Sequence, residues 1–294
     1  STAVPNPMNK YLSLIKFSHT IFALPFALIG FFLGQQQADG GGQWHLLALV
    51  LLCMVFARSA AMAFNRLLDR DIDKLNPRTA QREIPAGLIS SRSALVFVII
   101  NCLLFILTTW FINPLCFYLS PIALLIILGY SYTKRFTALC HFVLGLGLSL
   151  SPIGAYLAVT GTFDVIPLLY AGVVLLWVSG FDIIYALQDD GFDESMQLHS
   201  VPVALGRRNA LRLSNILHVG CALLIFFASY SIDQQYVAMG YFHWIGTFLF
   251  IALLFYQHWL VRPDDLSRVN LAFFTTNGVA SLLLGTFIIL DIFL

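Results

Sequence analysis

Apolar stretches of roughly 17 to 25 residues, about the helical length that crosses a 30 Å hydrocarbon core, follow one another from about residue 18 to the end of this 294-residue chain. No long polar segment interrupts them. Backbone N–H and C=O groups in lipid must be paired within the chain, so such stretches read as membrane helices. Only 11% of the residues are charged, against about 25% in soluble domains, which excludes an ordinary soluble enzyme. No run of like charge exists that tracks a phosphate backbone, so no nucleic-acid partner is expected.

Nine candidate spans lie near 18–35, 45–66, 93–112, 114–130, 139–160, 165–186, 209–230, 236–260 and 269–293. Asn113-Pro114 predicts a tight turn between the third and fourth, and turns are also expected at Gly40-Gly41-Gly42, Gly161-Thr162 and Ser231-Ile232-Asp233. The reading is an all-α integral membrane protein forming one domain over 1–294. With nine spans the N-terminus and the loops after spans two, four, six and eight share one side. All 16 basic residues fall there, among them Lys10, Lys16, Arg58, Arg66, Arg78, Arg82, Lys134, Arg135 and Arg207. The other loops carry Asp39, Asp164 and Asp233, with Asp291 near the end, and no Lys or Arg. By the positive-inside rule the basic side, with the N-terminus, is cytoplasmic, which places the protein in the inner membrane. Five dispersed cysteines lack metal spacing and read as buried thiols; the seven histidines read as packed or interfacial.

Span two ends with Arg58, Asn65, Asp69 and Asp73. At about 100° per residue they share one helix face, which is no lipid face. Span six ends with Asp182, Asp189 and Asp193 at the same offsets of seven and eleven, with Tyr185 between them. Carboxylates four apart on a helix repel when unpaired. A divalent cation resolves this, and an oxygen-rich set of this kind suits Mg²⁺ bound together with phosphate; the alternative is neutralisation by nearby Arg. Arg78 and Arg82 follow the first ladder, while Lys134 and Arg135 follow Tyr130 in the next basic loop. Cations beside such a site are what a diphosphate requires.

Asn65-Arg-Leu-Leu-Asp69-Arg-Asp-Ile-Asp73 with Arg78-Thr-Ala-Gln-Arg82, then Tyr130 to Phe136, then Phe181 through Asp193, resemble the UbiA superfamily of intramembrane prenyltransferases in order and spacing. Ile15 to Phe26 and Leu198-His-Ser-Val-Pro202 resemble its 4-hydroxybenzoate polyprenyltransferase branch, including relatives proposed to prenylate 1,4-dihydroxy-6-naphthoate on the futalosine route to menaquinone. The resemblance implies nine helices around a central cavity and transfer of a polyprenyl group from an allylic diphosphate to an aromatic acid in quinone biosynthesis. It implies two Mg²⁺ ions bridging the diphosphate, held by Asn65, Asp69, Asp73, Asp189 and Asp193, with Arg78, Arg82, Lys134 and Arg135 on the phosphates. Tyr130 and Tyr185 are expected to stabilise the allylic cation, or else to be interfacial tyrosines. Arg58 is expected to hold the acceptor carboxylate, and Asp182 to orient the ring or take its proton; a plain Arg58–Asp182 ion pair is the alternative. Arg66 stands where many members carry a further Asp. Other acceptors (haem, a chlorophyllide, a sugar phosphate) and an ion-coupled secondary transporter are the competing readings.

Overall fold

The computed structural model describes residues 6–15, 21–38 and 43–294. The expected Gly40-Gly41-Gly42 turn, the start of the first span, Lys16 and Asp39 lie outside the described residues. Among the described residues the regular structure is helical and there is no strand; the one β-bridge pairs Arg262 with Asp265.

Among the described residues nine helices overlap the expected spans. They are α2 (Leu24–Gln37), α3 (Trp44–Leu68), α5 (Ser91–Trp110), α6 (Pro114–Thr133), α7 (Cys140–Thr160), α8 (Val165–Ala186), α10 (Val201–Gln235), α11 (Phe242–Leu260) and α12 (Asn277–Phe293), the last preceded by a wide turn over Leu271–Thr276. Short helices α1 (Pro7–Ile15), α4 (Arg70–Leu75) and α9 (Asp190–Ser195) complete the chain. Among the described residues seven helical stretches are long and apolar enough to cross a membrane. The described part of α2 is too short, and in α11 His243, Gln257 and His258 dilute the apolar run.

The Asn113-Pro114 turn forms as expected. Asn113 Oδ1 accepts from the Cys116 N–H at 2.8 Å, and Pro114 opens α6 where its missing N–H costs nothing. Gly161 ends α7 with φ +66°, and its N–H donates to Leu157 O at 2.9 Å. The turn expected at Ser231–Asp233 does not form. Ser231 Oγ donates to Phe227 O, and Asp233 accepts from His243 Nε2 and from Trp244 Nε1 on α11, so α10 continues to Gln235. At its other end α10 breaks at Gly206, whose φ of +79° is non-helical.

Lipid tails are as apolar as side chains, so in a bilayer helices associate through close packing and buried hydrogen bonds. α8 forms the centre: Trp177, Phe181 and Tyr170 are buried against Phe22 and Phe26 on the α2 side and Phe250 of α11. At Gly145 on α7 a Cβ would lie 2.6 Å from Leu175 O, so only glycine permits that approach to α8. Asn277 acts as a polar anchor. Its Oδ1 accepts from Trp177 Nε1 (3.0 Å) and Gln257 Nε2 (3.1 Å), and its Nδ2 donates to the Phe273 and Ala272 carbonyls freed by the wide turn. That turn presses Phe273 against Tyr185, ring centroids 4.2 Å apart.

Charge separates along the bundle. Arg78–Asp189, Lys134–Asp69 and Arg207–Asp190 contacts gather the loops after α3, α6 and α8 and the start of α10 at one end. At the other end Asp164 binds Tyr156 and Gln235, and Asp291 binds the backbone of Gly240 and His243.

Candidate active site

Both acidic ladders sit at breaks between a long helix and a short one, which corrects the picture of each lying on one uninterrupted helix. α3 stops at Asp69 (φ −90°, ψ 5°) and α4 starts one residue later; α8 stops at Ala186, and a tight turn over Leu187–Asp189 leads into α9. At the end of α3 the physical cause is local capping. Arg70 Nη1 donates to Leu67 O at 2.7 Å and Arg135 Nη2 to Leu68 O at 2.6 Å, so the last carbonyls of α3 are met by guanidinium groups rather than by a further helical turn.

Between α3, α6, α7 and α8 lies a cavity of about 650 Å³. Asn65, Asp69, Asp73, Arg78, Arg82, Lys134, Tyr185, Asp189 and Asp193 line its charged end; Arg58, Tyr130 and Asp182 lie further in, and the walls beyond are apolar, with Phe105, Ile112, Leu148 and Ile153 among them. Along α7 the lining runs from Cys140 to Leu157, roughly 25 Å at 1.5 Å per residue.

Each acid of the charged end except Asp193 is held by a base. Lys134 Nζ lies 2.5 Å from Asp69 Oδ2, while Asp69 Oδ1 is buried without a hydrogen bond and 3.7 Å from Arg135. Arg82 Nη1 donates to both oxygens of Asp73 at 3.0 and 2.9 Å. Arg78 grips Asp189 with two N–H groups, at 2.9 and 2.5 Å, and donates to the Tyr185 hydroxyl at 3.2 Å. Burial works against the Arg78 charge, but its hydrogen bonds to Asp189 and Tyr185 outweigh this and push its pKa up. Among the described residues no three carboxylate, imidazole or thiol groups converge as a preformed metal cluster; the neutralisation by Arg and Lys weighed from the sequence is what this geometry holds.

The UbiA prenyltransferase family model matches residues 23–279. The chain is a member of the UbiA prenyltransferase family. A 4-hydroxybenzoate octaprenyltransferase of Aliivibrio fischeri (strain MJ11) is 32% identical over 248 residues, 84% of each chain. Among solved structures, the apo structure of a UbiA homolog from Aeropyrum pernix K1 superposes with TM-score 0.82 at 32% identity, covering 93% of this chain and 98% of that one. A UbiA homolog from Archaeoglobus fulgidus bound to DMAPP and Mg²⁺ has the same fold (TM-score 0.74, 22% identity, 97% and 99% covered). The protein is therefore a prenyltransferase, and the transporter reading falls away.

Within this UbiA-family cavity Arg78 and Asn76, from the loop after the first ladder, both reach Asp189 of the second. Several details depart from expectation. Arg135 caps α3 and is absent from the cavity wall. Tyr185 has Phe273 on its ring and the Arg78 guanidinium 5.5 Å from its centroid, which leaves less of its face for a cation. Asp182 pairs with His141, Nδ1 to Oδ2 at 2.7 Å. Tyr130 lies in the field of Asp182, Asp69 and Arg66. Arg66 is buried at the wall among Arg82, Asp73 and Tyr130. Asp190 is neutralised by Arg207, a pair that ties α9 to α10. Asn76 gave one legible signal: in Asn-Pro-Arg its side chain accepts from the N–H two residues on, at 3.0 Å. His141, 41 positions from Asp182, gave none.

Proposed function

We propose that this prenyltransferase moves a polyprenyl group from an allylic polyprenyl diphosphate to the ring of an aromatic acid, of the 4-hydroxybenzoate or 1,4-dihydroxy-6-naphthoate type, with Mg²⁺ and at the cytoplasmic face of the inner membrane. The observation that carries this is a lattice of acids and bases closing one end of a long apolar cavity. The names of its curated relatives and the DMAPP–Mg²⁺ complex of the Archaeoglobus homolog support it.

The donor set fits Mg²⁺. Asn65, Asp69, Asp73, Asp189 and Asp193 offer hard oxygens only, and Asp69 Oδ1 is a buried carboxylate oxygen without a hydrogen bond. These five residues would hold two ions, and bound Mg²⁺ would stabilise the diphosphate as a leaving group. Arg78, Arg82 and Lys134 exchange partners, passing their N–H groups from the carboxylates to the phosphate oxygens. The apolar walls receive the prenyl chain and exclude water from the allylic carbon. Arg58 stands about 10 Å deeper than Asn65, two turns along α3, and binds the acceptor carboxylate; Tyr130 presents its ring to the developing cation, and Asp182 accepts the ring proton.

The test is to incubate purified protein with labelled polyprenyl diphosphate, Mg²⁺ and a panel of aromatic acids and to weigh the product. The expected product is the acid plus the prenyl chain less one hydrogen, formed with Mg²⁺ or Mn²⁺ and stopped by EDTA. A rate indifferent to chelation, or prenylation only of haem, a chlorophyllide or a sugar phosphate, would overturn the reading.

A further inference from the structure

His141 lies in the first turn of α7 and is 2% exposed. Its Nδ1 is 2.7 Å from Asp182 Oδ2, and the Val201 N–H points at its Nε2 from 3.1 Å. A backbone N–H can only donate, so Nε2 carries the lone pair and the ring proton sits on Nδ1, facing Asp182. Two bonds thus select one tautomer of a neutral imidazole. The neighbouring segment is fastened as well: the His199 N–H donates to Lys134 O at 2.6 Å, tying the stretch before α10 to the one before α7. Asp182 lines the cavity with its side chain 19% exposed. His141 occupies Oδ2, and the carboxylate that carries Oδ1 belongs to the cavity lining.

We propose that His141 is a positioning residue of the transfer, which through Nδ1–H aims the Asp182 carboxylate at the aromatic acceptor and offsets the desolvation of that anion inside the membrane. The inference rests on the reading of the cavity as an aromatic prenylation site. In the step concerned the allylic C–O bond breaks and its electron pair leaves with the diphosphate. A π pair of the ring forms the new C–C bond. The proton on the substituted ring carbon passes to Asp182 Oδ1, and the C–H pair restores the aromatic ring. Asp182, now a neutral carboxyl group, returns its proton to water as the diphosphate departs. An imidazole fixed as donor keeps Oδ1, rather than a swinging carboxylate, within reach of that proton.

The same contacts would also serve a simple latch between α7, α8 and α10, and two isosteres separate the roles. Asn places its Nδ2 near the position of Nδ1, so His141→Asn keeps the donor to Asp182 and loses the acceptor for Val201. Gln reaches the position of Nε2, so His141→Gln keeps the Val201 bond and loses the donor. With labelled polyprenyl diphosphate and 4-hydroxybenzoate as the probe acceptor, His141→Gln is expected to lower kcat about 10²-fold with the KM for polyprenyl diphosphate unchanged. His141→Asn should retain most of the rate although it removes the bond to α10. The acceptor deuterated at the substituted carbon should show a kinetic isotope effect near unity in the wild type and clearly above unity in His141→Gln and Asp182→Asn, because proton removal becomes limiting. Combined, these two changes should cost no more than Asp182→Asn alone. Full kcat in His141→Gln, losses that follow the thermal midpoint instead of the isostere, or an unchanged isotope effect would overturn the positioning role. A wild type that prenylates no aromatic acid would instead remove the reading of the cavity, and this role with it.

Discussion

Asp69 has one oxygen on Lys134 and the other buried without a hydrogen bond, while Asp189 is clasped by Arg78. Neither side chain belongs to the apolar packing of the bundle, so Asp69→Ala and Asp189→Ala are each expected to lower turnover by at least about 10²-fold, with insertion and monodispersity in detergent retained. Near-wild-type rates at saturating Mg²⁺ in either variant would separate that carboxylate from the chemistry. Arg58 calls for a different readout. A guanidinium about 10 Å below Asn65 that binds a carboxylate contributes about 1.5 to 3 kcal/mol. Arg58→Ala should therefore raise the KM for the aromatic acid about 10- to 100-fold and leave that for the prenyl diphosphate nearly unchanged. Equal losses for both substrates would place Arg58 elsewhere in the reaction.

At the scale of elements, two adjacent cations of one loop divide into chemistry and architecture. Lys134 reaches Asp69 inside the cavity, whereas Arg135 donates to the last carbonyl of α3. Arg135→Gln is expected to destabilise the α3–α4 corner by about 1 kcal/mol, seen as a lower thermal midpoint with most activity kept, and Lys134→Met to stop turnover with little change in midpoint. The opposite pattern would reverse the assignment. Asn277→Leu should be more damaging to stability than either, because it orphans Trp177 Nε1, Gln257 and two carbonyls within the bundle, at about 1 to 3 kcal/mol for each buried group left unpaired. Element positions were legible because each span is long and apolar and Asn-Pro and Gly signals mark several ends. The ladder residues were legible because their offsets repeat on two helices. What stayed hidden depends largely on tertiary contacts: the break at Asp69 goes with guanidinium caps on the last α3 carbonyls, the extension of α10 with α11 partners of Asp233, and the His141–Asp182 pair with the packing of α7 on α8. Sequence offsets describe one helix at a time and carry none of these.

Across the whole molecule, basic loops and the charged mouth of the cavity share one end, and Asp164, Asp233 and Asp291 mark the other. The positive-inside rule is the ground for the proposed cytoplasmic orientation of the mouth. In a background lacking the five native cysteines, a cysteine replacing Thr162 should react with an impermeant thiol reagent added outside intact cells, and one replacing Ser91 should not; the reverse labelling would invert the topology. The central claim, that two acid–base ladders from separate helices form one Mg²⁺–diphosphate site, is tested most directly by equilibrium binding of a labelled, non-ionising prenyl thiolodiphosphate to the wild type and to Asp69→Asn and Asp189→Asn. Binding should require Mg²⁺ and weaken at least about tenfold, 1.4 kcal/mol, in each variant. Wild-type affinity in both variants, or affinity indifferent to Mg²⁺, would contradict it.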